Sequence, residues 1–235
     1  MRRSRSESLS SMWGTAQLRL WPRVLFVDWH GVLSDAPLWY SIRSNERHPF
    51  KPRLELKTDQ LFRQNWPMVA AWMRGDYTSE SIVKFLDITP PASARSDYFL
   101  RTLHADCRRM PIYEPMIEAL QWARMSSYVV IATDNMDCFI DAARGRRDIR
   151  RFADDIISSS DVGVLKAEDP HGFFGGWLRD HGLTFQDALL FDDGRDNCLA
   201  FDAAGGDAHY VSSPDEASKV IRAVVQDTFD SRSAS

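Results

Sequence analysis

The sequence predicts an α/β protein with a doubly wound, Rossmann-like parallel sheet and a helical cap inserted after the first strand. Short apolar runs rich in Val, Ile and Leu alternate with helical patterns along most of the 235-residue chain. Such runs are typical of parallel strands that are buried on both faces of a sheet. One long interval after the first run carries helical patterns alone, and this interval predicts the insertion.

Five apolar runs are predicted to be the strands of the sheet. They are Arg23–Val27, Tyr128–Thr133, Asp155–Ser159, Ala188–Asp193 and Ala208–Ser212. The carboxyl ends of parallel strands lie at one edge of a sheet, and in doubly wound sheets the ligand binds beyond that edge. We therefore expect the functional site at the ends of these runs.

Helix-end signals mark the segments between the later strands. The predicted helices are Glu114–Met125, Asp137–Arg144 followed by Gly145, Asp169–His181 followed by Gly182, and a last helix after Ser213. Asp169 and Pro170 are an N-cap residue and a first-turn proline. Ser213, Pro214 and Glu216 predict a capping box at the start of the last helix.

The interval from Asp35 to Met110 predicts a helical insertion large enough to cover a site as a lid. Its helical segments are "TDQLFRQNWPMVAAWMRG" and "TSESIVKFLDI", and prolines punctuate the rest. The predicted division of the chain is a disordered tail (1–22), a core (23–34 and 111–228), a helical cap (35–110) and a C-terminal tail (229–235).

The composition is that of an ordinary globular protein, with 44% hydrophobic residues, 26% charged residues and a net charge of −4. This balance argues against nucleic-acid binding by the surface as a whole. No apolar run approaches the roughly 18 residues that a membrane span requires, and the Arg- and Ser-rich start lacks the apolar region of a secretory signal. We expect a cytoplasmic protein with no nucleic-acid or membrane partner, and the sequence leaves its oligomeric state open. The three cysteines lack metal-site spacing and are expected to be free thiols.

Polar side chains follow several predicted strands. Asp28 follows the first strand, Thr133 ends the second, Asp192 and Asp193 end the fourth, and Lys166 lies in the loop after the third. Two or three carboxylates suit Mg²⁺, which takes one or two of them together with a phosphate. An ammonium and a hydroxyl can hold the remaining phosphate oxygens, and one aspartate can act as a nucleophile. Each residue alone is a common loop residue, so the prediction rests on the ordered set.

These motifs resemble the haloacid dehalogenase superfamily of hydrolases, particularly its phosphatases with a helical cap. The resemblance runs from about Val24 to Val211 and includes "VLFVDWHGVL", "YVVIATDN", "SSSDVGVLKAEDPHGFF" and "LLFDDGRDN". Within the insertion, "WMRGDYTSESIVKFL" is similar to the turn between helices of the family's cap. The resemblance implies the same fold and a hydrolase that uses Mg²⁺.

The resemblance also implies a role for each motif residue. Catalysis would fall to Asp28, which would form an aspartyl-phosphate, and to His30 and Lys166. The phosphate-binding set would be Trp29, Thr133, Asp134 and Lys166. The ligands of Mg²⁺ would be Asp28, the backbone carbonyl of His30, Asp192 and Asp193.

His30 departs from the family pattern, because the phosphatases carry a second aspartate there. That aspartate protonates the leaving alcohol and then activates water. Histidine can give and take a proton around neutral pH, since its unperturbed pKa is near 6.5. The alternative is that His30 only packs or caps the loop and leaves a slow or inactive enzyme. Both interpretations stay open from the sequence.

The sequence thus predicts a Mg²⁺-dependent hydrolase of a small phosphorylated metabolite. Three alternatives remain: a dehalogenase, an enzyme that cleaves carbon–phosphorus bonds, or a weakened member that binds phosphorylated ligands without turnover. A signalling receiver domain also combines Asp, Thr, Lys and an acidic pair, but there the acidic pair comes first. In this chain the single aspartate comes first and the pair comes late, which excludes that class.

Overall fold

The computed structural model describes residues 22–233, with side chains described up to residue 225. Its centre is a five-stranded parallel sheet in the order β3-β2-β1-β4-β5. The strands are β1 (Val24–Val27), β2 (Tyr128–Thr133), β3 (Asp155–Ser158), β4 (Ala188–Asp192) and β5 (Asp207–Tyr210). The predicted doubly wound α/β fold is confirmed, because β1 lies between β2 and β4 and the strand order changes direction beside it.

The five predicted strands are present, with shifted ends. The largest shift is in β5, which was predicted as Ala208–Ser212 but starts one residue earlier, at Asp207, and ends two residues earlier, at Tyr210. Its pairing with β4 sets its limits, since Leu189 lies opposite Asp207. An aspartate at the start of an edge strand interrupts the apolar run, so the sequence pattern alone begins one residue too late.

Both faces of the sheet are covered by helices, whose bounds are α6 (Glu114–Ala123), α7 (Asp137–Ala143), α9 (Pro170–Asp180), α10 (Arg195–Ala203) and α11 (Pro214–Ser233). Leu25 and Val27 of β1 pack with α6, α7 and α11. Val24 and Phe26 point to the other face, where α9 and α10 pack. Because all four side chains are fully buried, β1 is an uninterrupted apolar run rather than an alternating one.

The helix-end predictions have mixed outcomes. The Asp169 carboxylate accepts the Gly172 N–H (2.8 Å), and Gly182 has a left-handed φ of 63°, both as predicted. Gly145 directly follows the α7 C-cap Arg144, as predicted, but it does not have the positive φ that is common at this position. The Ser213 hydroxyl accepts the Glu216 N–H (3.2 Å) as predicted.

The other half of the predicted capping box is wrong by one residue. The Glu216 carboxylate accepts hydrogen bonds from the backbone N–H (2.8 Å) and the hydroxyl (2.6 Å) of Ser212, not from Ser213. Ser212 offers two donors to one carboxylate oxygen, which explains the preference. The last helix also continues to Ser233, past the predicted boundary at 228.

The interval between β1 and α6 contains five helices and, among the described residues, no named strand. They are α1 (Tyr40–Arg43), α2 (Lys51–Gln64), α3 (Trp66–Met73), α4 (Ser79–Leu86) and α5 (Tyr98–Arg109). The first predicted helical segment is two helices, because Pro67 lies in the first turn of α3 and cannot continue α2. The buried side chains of this helical insertion form a cluster that also includes Met136, Cys138, Ala142 and Leu165 of the core.

The predicted division into tails, core and cap stays a prediction. Most of the predicted N-terminal tail (1–21) lies outside the described residues, as do residues 234–235. One further helix, α8 (Ser159–Val162), directly follows β3. No helix in the described part of the chain combines the length and apolar character needed to cross a bilayer.

Candidate active site

Asp28 lies at the carboxyl end of the central strand, where the strand order changes direction. Its backbone N–H donates to the Phe191 carbonyl (2.9 Å), which extends the pairing of β1 with β4 by one residue. Its side chain is buried, and the Oδ1 atom accepts the Trp29 N–H (2.7 Å). The fold therefore fixes this carboxylate at the position where doubly wound sheets bind ligands.

A tight turn follows Asp28 and brings the chain against the end of β4. The N–H groups of Leu33 and Ser34 donate to the Trp29 carbonyl, and the Gly31 N–H donates to the Ser34 carbonyl. Gly31 has a φ of 73°, and a Cβ atom there would lie 2.1 Å from Oδ2 of Asp193. Glycine is thus required at position 31 for two reasons, its left-handed backbone conformation and its close approach to the Asp193 carboxylate.

Lys166 joins two of the strand ends through its ammonium group. The Nζ atom lies 3.1 Å from Asp28 Oδ1 and 2.5 Å from Asp192 Oδ2. It also donates to the Ala132 carbonyl (3.1 Å) at the end of β2. The side chain is completely buried, so these contacts give it a single position between the two carboxylates. The prediction that Asp28, Lys166 and the acidic pair lie together is confirmed in space.

Three carboxylates meet beside this lysine. Asp28, Asp192 and Asp193 each offer an oxygen within 4.8 Å of the others, a spacing at which all three could ligate one cation. Oδ1 of Asp192 also accepts hydrogen bonds from Gly194 N–H (2.8 Å) and Asn197 Nδ2 (3.0 Å). Carboxylate oxygens are the ligands that Mg²⁺ prefers, and three carboxylates carry more negative charge than one lysine can balance, so the cluster fits this cation.

The pKa values in this cluster are strongly perturbed. Burial raises the pKa of Asp28 to about 8, and Asp192 and Asp193 add to the rise while Lys166 opposes it. Burial, followed by the charge of Asp192, also raises the pKa of Asp193. Burial disfavours the charge on Lys166, but the surrounding carboxylates outweigh burial and raise its pKa. A cluster of this kind at a strand edge is typical of an active site.

Thr133 is the last residue of β2 and is buried at the same edge of the sheet. Ile131 lies opposite Val27, so the two strands reach this edge in register. The Thr133 hydroxyl accepts a long hydrogen bond from Asn135 Nδ2 (3.5 Å). Thr133 therefore ends its strand beside the end of β1, as predicted, and its role in binding phosphate stays a prediction.

Two residues of the predicted phosphate-binding set have side chains that serve the fold. The Trp29 ring packs on Phe139 with centroids 4.7 Å apart, and its Nε1 donates to the Met110 sulfur (2.9 Å). The Trp29 side chain is therefore held within the core, and its backbone N–H donates to Oδ1 of Asp28. The Asp134 carboxylate accepts the Lys166 N–H (3.1 Å) and so holds the loop that carries the lysine. These contacts join residues that lie far apart in the chain, so the motifs did not reveal them.

His30 lies on the exposed side of the turn. Its backbone forms an isolated bridge with Ser34, and its side chain is exposed. The imidazole is close enough to Asp193 to oppose the rise in the pKa of that carboxyl group. The histidine therefore lies at the mouth of the carboxylate cluster, open to a ligand that enters from solvent.

Sequence reasoning missed a second set of polar residues, which join the helical insertion to the core. Both oxygens of Asp137 accept the Ser79 N–H (3.1 and 3.0 Å), and Oδ1 also accepts the Ser79 hydroxyl and Trp72 Nε1 (3.0 Å). Asp137 starts α7, four residues after Thr133, so this link is close to the predicted site. Its position at a helix start suggested only a local role.

Two further links lie along the same boundary. The Ser159 hydroxyl donates to the Met73 carbonyl (2.7 Å), and Arg74 forms an ion pair with Glu168 (2.8 Å). The insertion is thereby attached to the segments that directly follow β2, which ends at Thr133, and β3, after which Lys166 lies. Asn197 was also missed, although its place five residues after Asp192 in "FDDGRDN" was a usable signal.

Neither a protein-family model nor a curated protein sequence matches this chain. Solved structures do match it. A HAD family enzyme from Bacteroides thetaiotaomicron, in its magnesium complex, aligns with a TM-score of 0.62 at 13% identity over 86% of this chain and 100% of that chain. The chain has the haloacid dehalogenase-like fold.

Further solved structures with this haloacid dehalogenase-like fold include a second complex of the Bacteroides enzyme and a dehalogenase. The Bacteroides enzyme in complex with magnesium and inorganic phosphate has a TM-score of 0.57 at 14% identity, covering 80% of this chain and 93% of that chain. The L-2-haloacid dehalogenase from Xanthobacter autotrophicus has a TM-score of 0.58 at 16% identity, covering 81% and 77%. A shared fold does not determine the reaction, so the substrate must be argued from the site.

Proposed function

We propose that this protein is a Mg²⁺-dependent hydrolase of a small phosphorylated metabolite, with Asp28 as the nucleophile. The observation that carries the proposal is the buried Lys166 ammonium between Asp28 and Asp192, with Asp193 completing a group of three carboxylates. One ammonium cannot balance three carboxylates and an incoming phosphate. A divalent cation supplies the missing positive charge.

The metal ligands in this proposal are Asp28, Asp192, Asp193 and the backbone carbonyl of His30. Bound Mg²⁺ would neutralise phosphate oxygens and lower the pKa of the nearby carboxyl groups. The raised pKa of Asp28 at about 8 describes the protein without a cation. When Mg²⁺ is bound, its positive charge would favour the ionised form of Asp28, which the nucleophile requires.

In the first chemical step, a carboxylate oxygen of Asp28 attacks phosphorus and the bond to the leaving alcohol breaks. Lys166 stabilises the negative charge on the phosphoryl oxygens, with the Thr133 hydroxyl as a hydrogen-bond donor. His30, in its protonated form, gives a proton to the leaving oxygen. In the second step, neutral His30 takes a proton from water, which attacks the aspartyl-phosphate and releases phosphate and the free Asp28 carboxylate.

Two observations support phosphate chemistry over a dehalogenase. The Bacteroides enzyme of the same fold binds magnesium and inorganic phosphate, and the acidic cluster here suits a divalent cation, which halide displacement does not need. A weakened member that binds phosphorylated ligands is the second candidate, because His30 replaces the family's second aspartate. The exposed imidazole beside Asp193 supports turnover instead, since it is open to a leaving group.

The test is hydrolysis of p-nitrophenyl phosphate with Mg²⁺ by the wild type, Asp28→Asn and a control, Asp141→Asn. Asp141 is an exposed aspartate on α7, so its substitution makes the same chemical change away from the cluster. We expect loss of turnover in Asp28→Asn alone and loss of wild-type activity in EDTA. Activity in Asp28→Asn would overturn the mechanism, while EDTA-resistant release of chloride from 2-chloropropionate would favour a dehalogenase.

A further inference from the structure

Two cysteines face each other across the boundary between the helical insertion and the core. Cys107 lies near the end of α5, the last helix of the insertion, and Cys138 is the second residue of α7. Their Sγ atoms are 3.8 Å apart, and the Cys107 thiol points at the Cys138 sulfur. Both side chains are buried, with exposures of 1% and 0%. The proposed hydrolysis uses neither thiol.

The distance between these sulfurs is short enough for a covalent bond after a small movement. A disulfide has an S–S length of about 2.05 Å, so the sulfurs must approach each other by roughly 1.8 Å. A cysteine sulfur can move by this amount through rotation about its Cα–Cβ bond. Both residues belong to one buried cluster, so the surrounding packing already holds α5 and α7 together.

We propose that Cys107 and Cys138 are a thiol-oxidation site, at which a small peroxide joins the helical insertion to the core through a disulfide. One thiol sulfur attacks a peroxide oxygen, the O–O bond breaks, and a sulfenic acid and water form. The second sulfur attacks the sulfenic sulfur and displaces another water. Two thiols and one hydrogen peroxide thus give one disulfide and two waters, with sulfur oxidised and peroxide oxygen reduced.

The third cysteine provides an internal contrast. Cys198 lies on α10, where its thiol donates to the Asp192 carbonyl (3.8 Å), and in the described part of the chain no hydrogen bond joins it to another cysteine. Burial, with the charge of Asp192, raises its pKa to about 12. It therefore lacks a thiol partner, and it can serve as a control.

The environment of the pair also restricts which oxidant can reach it. The hydrogen bond from Cys107, together with burial, raises the pKa of the Cys138 thiol, so the reactive thiolate is scarce. Oxidation is therefore expected to be slow and to quicken as the pH rises. Because both thiols are buried, hydrogen peroxide should also react faster than the much larger glutathione disulfide. The new bond would close a loop that contains α6 and β2.

The experiment treats the full-length protein with hydrogen peroxide under native conditions and maps its peptides without reduction. Wild type and Cys198→Ser should lose two hydrogen atoms in mass and yield one peptide that links residues 107 and 138. Cys107→Ala and Cys138→Ala should not yield it. The oxidised wild type should unfold at a higher temperature than the reduced form, and dithiothreitol should reverse the difference, because the bond restricts the unfolded chain.

Several outcomes would overturn the proposal. These are sulfinic or sulfonic acid at either residue without a link, a link that involves Cys198 or a second chain, and a link that forms only after denaturation. The wild-type peptide map identifies the linked residues even if an alanine variant fails to fold. None of these results depends on the proposed hydrolase activity, so the two proposals fail separately.

Discussion

The Nζ atom of Lys166 lies 3.1 Å from Oδ1 of Asp28, and both side chains are buried at the carboxyl end of the central strand. This contact joins the loop after β3 to the end of β1. Burial penalises both charges, and the other carboxylates of the cluster favour the lysine cation while they disfavour the Asp28 anion. Protonation of Asp28 and occupation by a cation are therefore linked.

The metal-free protein should lose stability as pH rises from about 4 to 8. The pKa of Asp28 is about 8 in the folded protein against a reference value of 3.8, so in this window the folded state holds a proton that the unfolded state has released. The free energy of unfolding then falls with pH, by up to about 1.4 kcal/mol per unit for one proton. Urea titrations with EDTA would measure the slope.

The slope should be shallower in Asp28→Asn and unchanged in Asp141→Asn. Saturating Mg²⁺ should flatten it in the wild type, because the cation stabilises the ionised carboxylate. An equal slope in wild type and Asp28→Asn would contradict the assignment of this proton to Asp28.

Replacement of His30 should affect substrates according to their leaving group. If the imidazole protonates the leaving oxygen, His30→Asn lowers kcat by about 10²–10⁴ for an alkyl phosphate. For p-nitrophenyl phosphate the loss should be much smaller, because that leaving group departs as a stable anion. Steady-state rates on the two substrates give the comparison, and an equal loss on both would refute the role as a general acid.

Gly31→Ala should harm both the backbone and the carboxylate cluster. Its φ of 73° and the 2.1 Å approach to Asp193 predict strain together with displacement of that carboxylate. Gly163 has a similar φ of 80°, but an added Cβ would meet no atom within 4 Å, so Gly163→Ala is the matched control. Each variant should lose about 1 kcal/mol of unfolding free energy through its left-handed backbone, and Gly31→Ala should lose more because of the contact with Asp193.

Only Gly31→Ala should also weaken Mg²⁺ binding, as measured by the metal-induced rise in melting temperature. Loss of that rise in both variants would assign the effect to backbone strain rather than to Asp193.

Asp137→Asn should loosen the helical insertion from the core. The carboxylate accepts hydrogen bonds from Ser79 and Trp72, and a neutral amide can replace only part of them. We expect a loss of about 1–3 kcal/mol in unfolding free energy and faster hydrogen exchange in α4. Asp141→Asn, on the same helix but exposed, is the control, and equal exchange in the two variants would count against the link.

Much of the fold could be read from the sequence, because strand burial and helix ends leave local signals. The predicted run Arg23–Val27 differs from β1 only at its first residue, because consecutive apolar residues are typical of a central parallel strand. The capping box was placed one residue wrong, because the choice between Ser212 and Ser213 depends on how the chain enters α11. The sequence pattern therefore predicts that a strand or helix is present, and the packing determines at which residue it begins or ends.

The sequence by itself determined the chemical types that the strands deliver to one edge: an aspartate after β1, a threonine after β2, a lysine after β3 and two aspartates after β4. These follow from strand polarity, because parallel strands all end on the same side. Only the tertiary structure decided which atoms meet, namely the Lys166 ammonium on Asp28 and Asp192, Asp137 on the insertion, and Cys107 beside Cys138. Such contacts join residues far apart in the chain, and no local pattern encodes the distance between them.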